Sequence, residues 1–321
     1  MSNIKEDQAS YHQLPSDDFD APQMTFGEFA TTMIVQVTGY ALKRALVQPS
    51  FRLCLLMAVE KELIRQHRLE AEGFNGSAGC IARVYRQEGV LGFMRGLWPG
   101  LLLSIPSSIV EDIVSGVVQQ LTFALISPYV ENFGQLSFVV LTVGSTAVIS
   151  LLTIPIEGVH NTVITNYVSD IKSPDSDEGT FNYKSSVDCC KKIYATKGWR
   201  GFFKGATLDA ASVVAYRGTY YLLITGTFAL MNESQRQSPH PWLSRSLSVL
   251  ATVVSQPIEV VRRRMMLRDS DYPGPITCAR SIVKEEGWTS LFAGLKMRLS
   301  LTLASAAVLE AVGFAAHFLR N

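Results

Sequence analysis

The chain has 321 residues, of which 47% are hydrophobic and 18% charged, with a formal net charge of +1. That is too apolar for an average soluble domain and too nearly neutral for a nucleic-acid partner. It is also far longer than a single helical anchor, so a polytopic membrane protein is the natural expectation.

Residues 1–24 form a polar, acidic tail in which Glu6, Asp7, Asp17, Asp18 and Asp20 outweigh Lys5. It resembles neither a secretory signal nor an arginine-rich transit peptide. A long hydrophobic segment containing Pro49 follows, and a second runs near 97–126. Next comes the clearest span, from Asn132 to Ile156, with no charge across 25 residues, where a bilayer core needs about 20. That segment contains Pro155, and its later counterpart contains Pro257. Each proline is expected to kink its helix. Further hydrophobic segments lie near 205–231 and 295–319.

Between the two hydrophobic segments of each unit stands one ungapped pattern, Phe/Tyr-x-Gly/Ser-x3-Cys-x8-Gly-x6-Gly. It reads Phe74, Gly76, Cys80, Gly89, Gly96, then Tyr183, Ser185, Cys189, Gly198, Gly205, then Tyr272, Gly274, Cys278, Gly287, Gly294. A pattern found three times sets the architecture. Apolar residues follow each cysteine by four and five positions (Val84 and Tyr85, Ile193 and Tyr194, Ile282 and Val283), which predicts a short amphipathic helix with both on its buried face. The next glycine ends that helix. The predicted organisation is three repeats, at 25–126, 127–231 and 232–321, each a span, a surface helix and a span. The five cysteines show no spacing suited to zinc, so they read as small packing residues in a reducing compartment, with no metal and no cofactor.

After Pro257 the chain reads Glu259, then Arg262, Arg263, Arg264, Met265 and Met266. Pro-x-Asp/Glu-x-x-Lys/Arg followed by an Arg-Arg-Arg-Met-Met run resembles the mitochondrial carrier family, and within it the ADP/ATP carriers. The resemblance covers nearly everything from residue 25 onward. It implies an all-α membrane protein: three tandem repeats, six transmembrane helices and three short matrix helices in pseudo-threefold symmetry. It places the chain in the mitochondrial inner membrane with both termini toward the intermembrane space, and it implies that the chain is not an enzyme.

The family closes its matrix side with a ring of ion pairs, and buried intramembrane charges of that kind are functional by default. By motif position this matrix gate would comprise Glu157, His160, Glu259 and Arg262, with Phe51 and Cys54 where the first repeat should carry its acid and base. The resemblance pairs Glu157 with Arg262 and sets Glu259 opposite Cys54 and His160 opposite Phe51. The three arginines have a second reading, as contacts to lipid headgroups. At the other end, the family's acid-and-base motif falls on Val114 to Gln119, Ile224 to Phe228 and Val312 to Ala316, none of which supplies the pair.

For an adenine-nucleotide site the resemblance carries over Arg44, Tyr216, Arg217 and Tyr220, with Ser212 and Glu111 beside them. Two further expected arginines fall on Leu103 and Leu301. Glu111 and Asp112 would repel a polyphosphate if they face the cavity, unless they pair internally with Arg44 or Arg217. Cardiolipin is the bound lipid implied, at Gly76, Ser185 and Gly274 and at Arg95, Gly96, Lys204, Gly205 and Gly294, since helix N-termini favour phosphate. Two functions fit. In one, a carrier with degenerate gates serves as an accessory subunit of a large inner-membrane assembly, whose other subunits are its partners. In the other, it is an active antiporter of adenine nucleotides or a related solute.

Overall fold

Each repeat begins with a long helix that proline bends without ending. In the computed structural model, which describes residues 26–130, 134–172, 181–232, 242–300 and 302–303, these are α1 (Phe26–Arg65), α4 (Gly134–Val168) and α7 (Trp242–Met266), with Pro49, Pro155 and Pro257 inside them. The short helices are α2 (Gly76–Glu88), α5 (Ser186–Lys197) and α8 (Pro275–Glu286). A 3-10 turn follows each one, then the returning helix: α3 (Leu97–Val130), α6 (Ala206–Leu230), and α9 from residue 295. No strand occurs among the described residues. The acidic tail and Val312 to Ala316 lie outside them.

The chain divides at Tyr40 into two units, the first contributing the N-terminal part of α1. Within the second, from Ala41 onward, the three proline-containing helices meet at their C-terminal ends in a closed cycle. Arg52 Nε of α1 donates to the Val168 carbonyl of α4 (3.2 Å), Asn166 Nδ2 of α4 to Met266 of α7 (2.8 Å), and Arg264 Nε of α7 to Ala58 of α1 (3.3 Å). Two arginines and an asparagine thus close a threefold arrangement by bonding backbone carbonyls, those of Val168 and Met266 being the free ones at their helix ends.

The glycines that open α3, α6 and α9 tighten the same cycle. Gly96, Gly205 and Gly294 have φ of 90°, 89° and 76°, where an L side chain is strained. Each also packs directly on the next repeat's bent helix. A Cβ on Gly294 would lie 2.8 Å from the Cys54 carbonyl oxygen, and one on Gly205 would lie 3.2 Å from Met266 Cγ. Gly294→Ala is therefore predicted to cost about 1–3 kcal/mol in strain alone, lowering the thermal midpoint by roughly 2–12 °C; an unchanged midpoint would show that the α1–α9 contact yields freely.

One apolar cluster serves each repeat. Cys80 and Val84 join Leu56 and Leu63, Cys189 and Ile193 join Tyr183 and Phe202, and Cys278 and Ile282 join Val261 and Tyr272. Burial pushes the thiols of Cys80, Cys189 and Cys278 up to about 12, so they are inert packing groups, as their position predicts. The expected partner positions divide, however: Tyr85, Tyr194 and Val283 are exposed. At 3.6 residues per turn the fourth residue lies about 40° from the cysteine and the fifth about 140°, on the opposite side.

Outward faces are apolar. Leu102, Ile113, Leu151, Leu152, Leu222, Leu250 and Val254 are all at least half exposed, a surface suited to lipid and not to water. Two stretches are long and apolar enough to cross a bilayer by composition, Val90–Thr122 and Thr142–Val168.

Candidate functional site

Along α7, Ser244, Ser248, Thr252, Gln256 and Glu259 recur every third or fourth residue, which puts a polar stripe on one helix face. Its first three members, Ser244, Ser248 and Thr252, line a cavity of about 590 Å³, within the range of small-molecule sites. Lys43, Arg44 and Phe51 of α1, Tyr216 and Tyr220 of α6, Arg245 of α7 and Arg298 of α9 also line it. Four cations therefore share the cavity, and no carboxylate lines it among the described residues. Arg298 donates to Gln256 Oε1 (2.9 Å) and Ser255 Oγ (3.3 Å), both neutral acceptors that position the guanidinium and leave its charge in place. Tyr216 and Ser248 share a hydrogen bond of 3.0 Å across the α6–α7 boundary.

Only part of the predicted nucleotide site assembles there. Arg44, Tyr216 and Tyr220 line the cavity. Arg217 and Glu111 instead form an ion pair of 3.5 Å between α6 and α3, the internal pairing that the sequence offered as the alternative to repulsion. Ser212 is buried and donates to Glu259 Oε2 at 3.3 Å. Leu103 packs against two of the apolar clusters. The side chain of Asp112 and the whole of Leu301 lie outside the described residues. The sequence reading missed Lys43, Arg245 and Arg298; the four-residue rhythm of small polar residues on α7 was the signal that could have pointed to this wall.

At the proline level the charged groups form a one-sided network. Arg262 makes a two-pronged pair with Glu259, Nη2 to Oε1 at 2.7 Å and Nε to Oε2 at 2.9 Å. Its third nitrogen pairs closely with Asp209 of α6. Asn161 of α4 donates to the other Asp209 oxygen at 2.5 Å, and Arg263 Nε donates to Glu259 Oε1 at 2.6 Å. The expected Glu157–Arg262 pair is absent: among the described residues Glu157 has no ion-pair partner, because Arg262 is saturated by Glu259 one turn away and by Asp209. Asp209 is the only acid in α6, and an isolated intramembrane carboxylate was itself a signal.

Repeat 1 contributes no charge to this network. Phe51 presents its ring to Arg44 (4.4 Å to the guanidinium carbon) and to Arg263 (5.6 Å). Cys54 is buried beside Gly294, and His160 Nε2 is buried without a partner among the described residues. The lipid-headgroup reading of the three arginines also fails. Arg263 and Arg264 are buried, and Arg264 pairs with Glu286. Met265 and Met266 are core residues.

The residues proposed for lipid are differently engaged. Arg95 Nη2 pairs with buried Asp170 (2.9 Å), and its guanidinium lies 4.4 Å and 3.6 Å from the rings of Tyr167 and Phe181. Lys204 donates to the Ser270 carbonyl at 2.5 Å. Ser185 caps α5 through its own hydroxyl, whereas the N-termini of α2 and α8 carry no side-chain cap.

A family model described as mitochondrial carrier protein matches residues 27–123, 138–234 and 246–314. Among curated relatives, ADP/ATP translocase 3 of Bos taurus is 24% identical over 275 residues, covering 83% of this chain and 89% of that protein. An ADP,ATP carrier protein of Chlamydomonas reinhardtii is 26% identical over 289 residues, covering 84% and 87%. A third, ADP,ATP carrier protein ER-ANT1 of Arabidopsis thaliana, is 24% identical over 287 residues, covering 88% and 92%.

Proposed function

This chain belongs to the mitochondrial carrier protein family, and on that footing we propose that it exchanges an anionic solute, an adenine nucleotide or a close relative of one, across the mitochondrial inner membrane. The observation that carries the reading is the cavity lining: Lys43, Arg44, Arg245 and Arg298 beside Tyr216 and Tyr220. Fixed cations in a low-dielectric cleft attract a polyanion, and tyrosine rings offer a planar base a stacking surface. Relatives named as ADP/ATP carriers support the nucleotide class. In the proposed orientation α2, α5 and α8 face the matrix and both termini the intermembrane space. The Glu259–Arg262–Asp209 network then closes the matrix side, and alternating access requires it to break. The uncapped N-termini of α2 and α8 are the places where this reading puts cardiolipin phosphates.

Exchange of ADP and ATP in sealed proteoliposomes tests this directly. Arg298→Met is predicted to lower uptake efficiency between about 10- and 150-fold, the equivalent of one charge-assisted hydrogen bond of roughly 1.5–3 kcal/mol. A folded preparation that takes up no adenine nucleotide removes the transport reading. The accessory-subunit reading has one observation in its favour: Val114 to Gln119 and Ile224 to Phe228 supply no acid-and-base pair for the opposite gate. Migration in mild detergent at the mass of a large assembly would favour it; migration as a lone 35.4 kDa chain would count against it.

A further inference from the structure

Two residues after their prolines, α4 and α7 carry Glu157 and Glu259, but α1 carries Phe51. The replacement is more than filler. Phe51 lines the cavity, and its ring holds two guanidiniums, that of Arg44 at 4.4 Å and that of Arg263 at 5.6 Å. Arg44 faces the solute space, while Arg263 belongs to the network on Glu259. Arg263 is held there by a single bond from Nε, and its buried Nη1 has no hydrogen-bond partner among the described residues. A buried donor left without a partner is costly, and an aromatic face is the remaining group that stabilises this cation.

We propose that Phe51 is a positioning residue that latches the gate through cation–π contact and couples it to solute binding, a role that rests on the carrier reading of the cavity. An anion entering the cavity draws Arg44 toward itself. The ring, freed of its upper cation, turns away and exposes the unused N–H of Arg263. That donor then turns to the anion in competition with Glu259, and the α1–α7 side of the gate loosens. In place of a broken ion pair, the first repeat contributes a released ring.

Cys54, one turn beyond Phe51 and 1% exposed, reports the state of this joint. The test is the rate of its alkylation by N-ethylmaleimide in the reconstituted full chain, read by peptide mass spectrometry with and without ADP. In the natural protein, ADP is expected to raise the rate. Phe51→Leu, similar in size but lacking a π face, is expected to raise the ADP-free rate roughly 2- to 30-fold, the range a cation–π contact spans, and to remove the response to ADP. Phe51→Tyr is expected to restore both. An unchanged ADP-free rate in Phe51→Leu overturns the latch whether or not the chain transports. A raised ADP-free rate in a chain whose natural form ignores ADP overturns the coupling and counts against the carrier reading. A parallel rise at Cys80, buried in a separate cluster, means general loosening and also overturns the proposal.

Discussion

Replacing Asp170 by asparagine is expected to cost about 3–5 kcal/mol, the typical penalty for removing one partner of a buried ion pair. Asp170 follows α4 directly and is fully buried. Its two oxygens accept from Arg68 Nη2 (2.9 Å), Arg95 Nη2 (2.9 Å), the backbone N–H of Tyr183 (2.9 Å) and the Asn182 side chain (3.0 Å). The chain after α1, the turn before α3 and the approach to α5 are thus tied to one carboxylate. Asparagine keeps the shape but loses the charge, and it sets an amide N–H against one of two guanidiniums that are themselves largely buried. At roughly 2–4 °C per kcal/mol, the midpoint should fall by about 10 °C. A loss near that of a surface substitution would show that these cations find water or lipid instead. Because Arg95 is committed to Asp170, the same variant also frees a cation for lipid phosphate. Retained stability in cardiolipin-containing bilayers, set against collapse in lipid-free detergent, would therefore locate that lipid at Arg95.

The architecture was legible in the sequence because repetition leaves several independent marks three times over: a proline in a long apolar segment, then a cysteine and two glycines at fixed spacing. Each has a backbone or packing reason, and backbone reasons survive divergence. The site was less legible because charge partners are chosen in three dimensions. Motif position set Arg262 against Glu157, but its carboxylates come from its own helix and from α6, a choice that motif position cannot reveal. For Glu111 the sequence left repulsion of solute and an internal pair with Arg44 or Arg217 both open, and the pairing is with Arg217. Conversely, Phe51 looked like a missing acid when viewed along the chain, and only the positions of Arg44 and Arg263 show what the ring does.

Charge removal at Glu259 and at Glu157 should have very unequal consequences, although the two residues hold the same position relative to their prolines. Glu259 accepts from Arg262 twice, from Arg263 and from Ser212. Glu259→Gln leaves Arg263 with no carboxylate and Arg262 with Asp209 alone, inside a membrane bundle where isolated charge is costly. The expected loss is about 3–5 kcal/mol, seen as a lowered thermal midpoint together with impaired ADP exchange. Glu157→Gln, by contrast, breaks no ion pair among the described residues, and its effect on the midpoint should stay within about 1 kcal/mol. The comparison separates two pictures of the gate. If the cost fell on Glu157, the ring would run from repeat to repeat in the family's manner. If it falls on Glu259, the charged part of the closure depends on one joint between α6 and α7, which repeat 1 meets through the Phe51 ring. In that case Asp209→Asn should weaken the same joint by a smaller amount, because Glu259 would still hold Arg262 by two bonds.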